Sequence, residues 1–436
     1  MIRRLDMAAL GVEAVARALD RSPASVDPEV HRRVAEILAA VRQKGDAALL
    51  EFTERFDGIS MKPEELAVSA AEFEAAAGRL DEATARSLRY AADRIERFHR
   101  ACAPRSWSTE DANGSRLGQE VRPLDRVAIY VPGGRAAYPS TVLMTALPAR
   151  VAGVRDIVLV SPPGADRSLN PAVLAAARIA GVTEAYRIGG AQAIAALAYG
   201  TETVQRVDKI VGPGNIYVAL AKAQVFGEVG IDMVAGPSEV VVVADEGADA
   251  AFAAADLLAQ SEHDPMARAV LLTPSARLIE AVAAEAERQL ATLPRGEIAR
   301  RALEANGALV LTASLPQAIE LVNRLAPEHL ELLVADPGAW LPEVRSAGAV
   351  FLGRFTPEVV GDYVAGPNHV LPTAGTARFS SALGTEDFVK RMSVIECSPE
   401  GLREAGPHVA ELARVEGLQG HGAAATLRIA RMGGTT

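Results

Sequence analysis

The sequence predicts an α/β protein: two doubly wound, Rossmann-like but incomplete parallel-sheet modules, with small helical arms at the N- and C-termini. Three observations predict it. Short continuous Val/Ile/Leu runs recur along the chain, as in RVAIYV, DIVLVS and EVVVVAD. Helix-like stretches of roughly 10 to 15 residues separate most of them, the signature of parallel strands covered on both faces. These β-α units outnumber what one small sheet needs, and 436 residues exceed a single core, suggesting about three folding units.

The elements follow in order. The N-terminus, MIRRLDMAALGVEAVARALDR, has the charges of a signal peptide. Glu13, Arg17 and Asp20 interrupt any apolar segment, so it reads as an amphipathic helix in an arm of residues 1–25. From Pro28 to His99 the pattern is helical, with Val34, Ile37, Leu38 and Val41 at helical spacing. Strands are predicted at Arg126–Val131, Asp156–Ser161, Ala185–Ile188, Asp208–Val211, Glu239–Asp245, Arg268–Thr273 and Ala308–Thr312. Helices are predicted at Ser140–Ala152, Asn170–Ala180, Ile216–Phe226 and Leu315–Leu325. Past Ala382 the strands are expected to stop, leaving helices at Leu402–Leu412 and Ala423–Arg431. The resulting division is a discontinuous α/β domain of 26–128 with 238–381, a second α/β domain of 129–237, and a C-terminal arm of 382–436. The arm is too short for a core of its own and should pack on a neighbour.

Composition narrows the function. Hydrophobic residues at 49% and charged residues at 23% are ordinary globular values. The 55 acidic against 45 basic residues, a net charge of −10, argue against a nucleic-acid or anionic-membrane partner. Cys102 and Cys397 cannot build a disulfide framework or a cysteine-ligated zinc site. No apolar run reaches the roughly 18 residues of a membrane helix, and the expected compartment is a reducing cytoplasm.

Three glycine-rich turns fall where a strand should end and a helix begin: Tyr130–Gly134, Gly189-Gly190-Ala191-Gln192 and Gly212-Pro213-Gly214-Asn215. Glycine lets backbone approach a phosphate, and a helix N-terminus offers it free N–H groups. Any one such turn is adequately explained by tight βα geometry; three in one module point to a nucleotide crevice. In Gln260-Ser261-Glu262-His263, Asp256, Gln260 and His263 stand at i, i+4 and i+7, sharing a helix face. Such a stripe is either solvated or able to reach one cation. Pro327-Glu328-His329-Leu330 pairs the two commonest proton-transfer side chains, which share a pocket only if they sit in a turn. Asp362 and His369 lie in the Gly/Pro-rich loop Gly361–Pro372, and Glu416 and His421 in EGLQGH. Four of seven histidines (His263, His329, His369 and His421) occupy such polar, glycine-containing contexts, while His31, His99 and His408 do not. That distribution favours a metal or proton-transfer site.

The strings YVPGG, GPGN, DMVAGPSE, QSEHDP, APEHL, GDYVAGPNHVLPT and EGLQGH, in that order, closely resemble the histidinol dehydrogenase family from about Val34 to Arg431. The resemblance implies a zinc- and NAD-dependent four-electron oxidation of L-histidinol to L-histidine through bound L-histidinaldehyde, the last two steps of histidine biosynthesis. It implies one zinc per subunit on Gln260, His263, Asp362 and His421, with Glu328 and His329 as the acid/base residues. Substrate contacts carry over to Ser238, Gln260, His263, His329, Asp362, His369, Glu416 and His421, and NAD contacts to Tyr130, Gln192 and Asn215. Residues 129–237 become the NAD-binding domain, 26–128 with 238–381 the metal domain, and 382–436 the dimerisation arm. A homodimer with shared active sites is implied, His421 crossing to the partner. A related zinc-dependent dehydrogenase acting on another small alcohol is the alternative.

Overall fold

The computed structural model describes residues 2–20, 27–133 and 137–432. The strands are β1 (Arg3–Asp6), β2 (Trp107–Glu110), β3 (Arg116–Pro123), β4 (Arg126–Tyr130), β5 (Asp156–Val160), β6 (Glu184–Tyr186), β7 (Lys209–Val211), β8 (Gly230–Ile231), β9 (Glu239–Ala244), β10 (Arg268–Thr273), β11 (Ala308–Leu311), β12 (His329–Leu333), β13 (Ala349–Leu352) and β14 (Val389–Glu396). The chain forms two compact units, Met1–Cys102 with Asp125–Phe388, and Ala103–Leu124 with Val389–Thr436.

The first unit holds two parallel sheets. One has the order β6-β5-β4-β7-β8, the other β1-β11-β10-β9-β12-β13. Counted along the chain from β4 and from β9, both read 3-2-1-4-5, the doubly wound order, with β1 added outside β11. Every residue of β4, β9 and β10 is buried. Helices cover both faces, which is why these strands are continuously apolar rather than alternating. On the six-stranded sheet, helices Ala250–Ser261 and Ala276–Leu290 fill one face. Helix Leu315–Leu325 and the arm residues Met7, Val15 and Leu19 fill the other.

Several elements depart from the sequence reading. The N-terminal arm begins as a strand: β1 pairs in parallel with β11, and Asp6 then caps the short helix Met7–Leu10. The 25/26 boundary lies outside the described residues. Helices Pro28–Lys44 and Asp46–Asp57 share a core with the five-stranded sheet, through Val34, Leu38 and Leu49 against Val158 and Leu197, although the sequence groups them with the other sheet.

The second unit is not purely helical. β14 pairs antiparallel with β3 over eight positions, Val389↔Pro123 to Glu396↔Arg116, and β2 flanks β3. Helices Pro399–Val415 and Gln419–Met432 pack so closely that a Cβ on Gly406 would lie 2.2 Å from Ile429. The expectation that strands stop after Ala382 is therefore corrected. The partner of β14 is about 270 residues upstream in sequence, which local pattern cannot see.

Candidate active site

The site is built at the amino edge of the six-stranded sheet, where β9 and β12 lie side by side at the reversal of winding. Helix Leu315–Leu325 ends at Ala326 in the left-handed region (φ 48°), and Pro327 and Glu328 lead directly into β12. His329 therefore opens a strand, in register with Val240, and Glu328 immediately precedes it. A Cβ on Gly348 would stand 2.6 Å from the Glu328 carbonyl, so this approach requires glycine. Both side chains turn to the backbone of one residue, Glu239. The backbone N–H of Glu239 donates to Glu328 Oε2 (2.8 Å), and His329 Nδ1 donates to the Glu239 carbonyl (3.0 Å). A carbonyl only accepts, so the proton sits on Nδ1, and Nε2 is left facing Asp362 Oδ1 at 3.7 Å.

Burial sets the electrostatics. Glu328 and His329 are almost wholly enclosed. Burial pushes the Glu328 carboxyl up to about 7, against the opposing charge of His329. Burial pulls His329 downward, but the carboxylates of Glu328, Glu358 and Asp362 outweigh it and hold the imidazole well above its ordinary value. Glu358 is enclosed with neither carboxylate oxygen partnered, and burial pushes it up to about 8. Asp362 is held low: burial opposes ionisation, but His329, His369 and His263 override it.

The predicted metal residues approach from two helices in contact, Ala250–Ser261 and Glu358–Tyr363. Gln260 is wholly buried with both amide atoms unpartnered. The helix ends at Ser261, so His263 lies just beyond it, solvent-accessible and within electrostatic reach of Asp362. Asp256 lies instead near Glu331, whose carboxyl is pushed well above its ordinary range by burial and by the Asp256 charge. His369 Nδ1 donates to the Asp362 carbonyl (2.8 Å), and its Nε2 stands 3.5 Å from Thr141 Oγ1. His329, Asp362 and His369 line one cavity of about 720 Å³. Among the described residues no three His, Cys, Asp or Glu side chains converge as a metal cluster. An orphaned amide beside a histidine and an aspartate nevertheless fits a borderline cation, with further positions to be filled. Ser238 is half-buried just before β9.

Glu416 and His421 belong to the second unit. Glu416 follows helix Pro399–Val415, and His421 sits in the first turn of helix Gln419–Met432; both are exposed.

The glycine turns lie at the carboxyl ends of β4, β6 and β7, and they interlock. Tyr130 Oη accepts the N–H of Gly190 (3.1 Å), while Pro162 packs on both Gly133 and Gly189. Gly212 has φ 108°, and a Cβ there would lie 2.3 Å from the Tyr130 carbonyl. Asn215 caps helix Ile216–Val225, accepting from Tyr217 N and Val218 N at 3.0 and 3.2 Å. Gln192 is buried with both amide atoms unpartnered.

The sequence model of histidinol dehydrogenases matches residues 20–429. The chain belongs to the histidinol dehydrogenase family. A histidinol dehydrogenase of Pseudomonas syringae pv. syringae is 53% identical over 98% of this chain and 96% of its own. One from Geobacillus kaustophilus is 55% identical, over 94% and 97%. The crystal structure of histidinol dehydrogenase from Elizabethkingia anophelis superposes with a TM-score of 0.94 at 35% identity, covering 99% of both chains.

Within this family frame, sequence reasoning missed several buried groups around the site. His99 stands in unremarkable helical sequence, yet it lines the 720 Å³ cavity with both ring nitrogens unpartnered, and burial pulls it down to about 4. Glu358, Glu331, Glu239 and Arg268 are further buried groups of this kind. Their only sequence signal is a charge inside an apolar strand, or beside a motif. In EVVVVA and RAVLLT that signal is visible at the first position.

Proposed function

We propose that the chain oxidises histidinol to histidine in two hydride transfers to NAD, around one zinc ion held by Gln260, His263, Asp362 and His421 of the partner subunit. Family membership carries the reaction itself, oxidation of histidinol to histidine in histidine biosynthesis. The observation that best supports this use of the site is the approach of His329 Nε2 to Asp362, at 3.7 Å, which joins the acid/base pair to the metal set. Bound there, zinc supplies a cationic anchor for the substrate's nitrogen donors, orienting it rather than polarising a carbonyl.

In its neutral form, which the carboxylates of Glu328, Glu358 and Asp362 confine to higher pH, His329, with Nδ1 tied to a carbonyl, receives the hydroxyl proton at Nε2 as hydride leaves carbon. Glu328 takes a proton from the water that hydrates the aldehyde, preparing the second oxidation. Asp362, His369 and Ser238, with Glu416, position the cationic amino alcohol. Tyr130, Gln192 and Asn215 shape the NAD crevice of residues 129–237. Residues 238–381 carry the metal through Gln260, His263 and Asp362, and 382–436 serve dimerisation. Exposed Trp107, Ile395, Leu412, Val415 and Leu427 give the second unit an apolar surface suited to a symmetric partner. No described helix is long and apolar enough to cross a membrane, and exposed free Cys102 and Cys397 suit a reducing cytoplasm.

Metal analysis combined with an NADH absorbance assay tests the reading. Purified protein should contain one zinc per subunit and yield two NADH per histidinol. Zinc-free protein with full turnover, or one NADH per histidinol, would reject it.

A further inference from the structure

We propose that the buried Arg268–Glu239 ion pair is a positioning device for the acid/base residues, holding Glu328 and His329 through the backbone N–H and C=O of Glu239. The inference deepens the proposed function and rests on its assignment of those two residues.

Glu239 is wholly buried and Arg268 is 3% exposed, and the guanidinium pairs with the carboxylate. The same guanidinium donates to the carbonyl of Leu19, the last residue of helix Val12–Leu19, and the Arg268 N–H donates to the Ser238 carbonyl at 3.0 Å. Glu239 is thus gripped by its side chain while its own N–H and C=O hold the two reacting groups, at 2.8 and 3.0 Å. Stability does not account for the arrangement. Replacing a buried ion pair by apolar residues is often neutral or stabilising, so such pairs are weak evidence of stabilisation.

Placement gives a better account. Among the described residues, two Lys/Arg ion pairs have both side chains under 5% exposed, Arg268–Glu239 and Lys222–Asp232. Both lie against a peptide of the proposed site. Lys222 Nζ donates to the Gly212 carbonyl, and Asp232 Oδ2 accepts the Gly212 N–H, each at 2.8 Å. One pair therefore fixes a glycine turn of the nucleotide crevice, and the other fixes the cradle of the proton-transfer residues. A displacement of about 1 Å in such groups can cost about 100-fold in rate.

The test compares Arg268→Met/Glu239→Gln, which removes both charges together, with Arg268→Lys, which keeps the charge but loses the fork. Thermal melts and steady-state kinetics are measured well below the melting temperature. The double variant should fold cooperatively and lose about 10- to 100-fold in kcat, with KM for histidinol and NAD changed less than about twofold. Arg268→Lys should fall between it and the parent. A merely structural pair would lower the melting temperature and leave kcat of the folded enzyme alone; parent-like kcat in the double variant overturns the proposal. If the double variant does not fold, Arg268→Lys decides: parent kcat overturns, a kcat loss at constant KM supports. Glu328→Gln and His329→Gln run alongside. Parent-like activity in those two would reject the acid/base reading itself, whereas their loss beside an unimpaired double variant would reject only the positioning role.

Discussion

The five-stranded sheet presents glycine turns at the carboxyl ends of β4, β6 and β7, whereas the six-stranded sheet gathers Glu328, His329 and the Glu239 peptide at the amino ends of β12 and β9. The winding order is shared, yet opposite edges are used. Helix polarity explains the division. At the carboxyl edge the following helices begin, so free N–H groups and the positive dipole end suit phosphates. At the amino edge they end, and Gln260 lies in the last turn of helix Ala250–Ser261. The negative end there favours a cation, by about 0.3–1 kcal/mol per helix. The two edges meet where helix Pro139–Ala152, leaving β4, brings Thr141 to 3.5 Å from His369. A fold therefore supplies two electrostatically distinct edges, and side chains decide which one does which chemistry.

The strongest challenge to this division is to empty one edge and watch the other. Removing the metal with a chelator should abolish histidinol turnover while NAD still binds, measured by calorimetry. His263→Asn should mimic the chelator, and His31→Asn should change nothing measurable. Joint loss of both functions would mean the edges are not separable.

Next in size is the acid/base pair. His329→Gln should lower kcat by about 10²- to 10⁴-fold, at least as much for alcohol as for aldehyde oxidation. Glu328→Gln should hurt aldehyde oxidation more. Because burial pushes Glu328 up to about 7, its basic form dominates only above that pH. Aldehyde oxidation should rise as pH increases through 7, and Glu328→Gln should flatten that rise in a stopped-flow pH series. Equal losses in both half-reactions would mean the roles are not divided this way.

A factor of four tests the second unit. Asp362→Ala and His421→Ala homodimers should each be inactive. In mixed dimers one site carries both lesions and the other neither. Random assembly makes half the dimers mixed with one good site of two, so co-expression should restore about a quarter of parental activity. No recovery in demonstrated mixed dimers would place His421 in its own chain's site.

Much of this comparison is legible in sequence, but unevenly. β4, β5, β9, β10 and β11 announce themselves as buried apolar runs, and each glycine turn marks a strand end. β1 and β14 do not: RRLD and VKRMSVIE gain strand character from partners about 300 and 270 residues away. The PEHL pair is visible as chemistry, but its cradle is not, because Glu239 acts through a backbone that any residue would share. His99 is invisible for another reason: only packing reveals that its ring nitrogens lack partners.

The smallest expected effect probes the carboxyl edge, at Asn215. Its side chain accepts the N–H groups of Tyr217 and Val218, a helix cap, and the same residue is proposed to touch NAD. The two jobs separate by substitution. Asn215→Ala removes both; losing the cap costs about 1 kcal/mol, enough for roughly a fivefold rise in KM for NAD if the turn loosens. Asn215→Ser keeps a capping oxygen but loses the amide. If capping is the whole role, the serine variant should match the parent in both melting temperature and KM. If the amide also meets NAD, the serine variant should melt like the parent yet keep the raised KM. In neither case should kcat fall, because the proton-transfer groups stand at the other edge. A kcat loss in Asn215→Ser would break the division of labour between the two sheets.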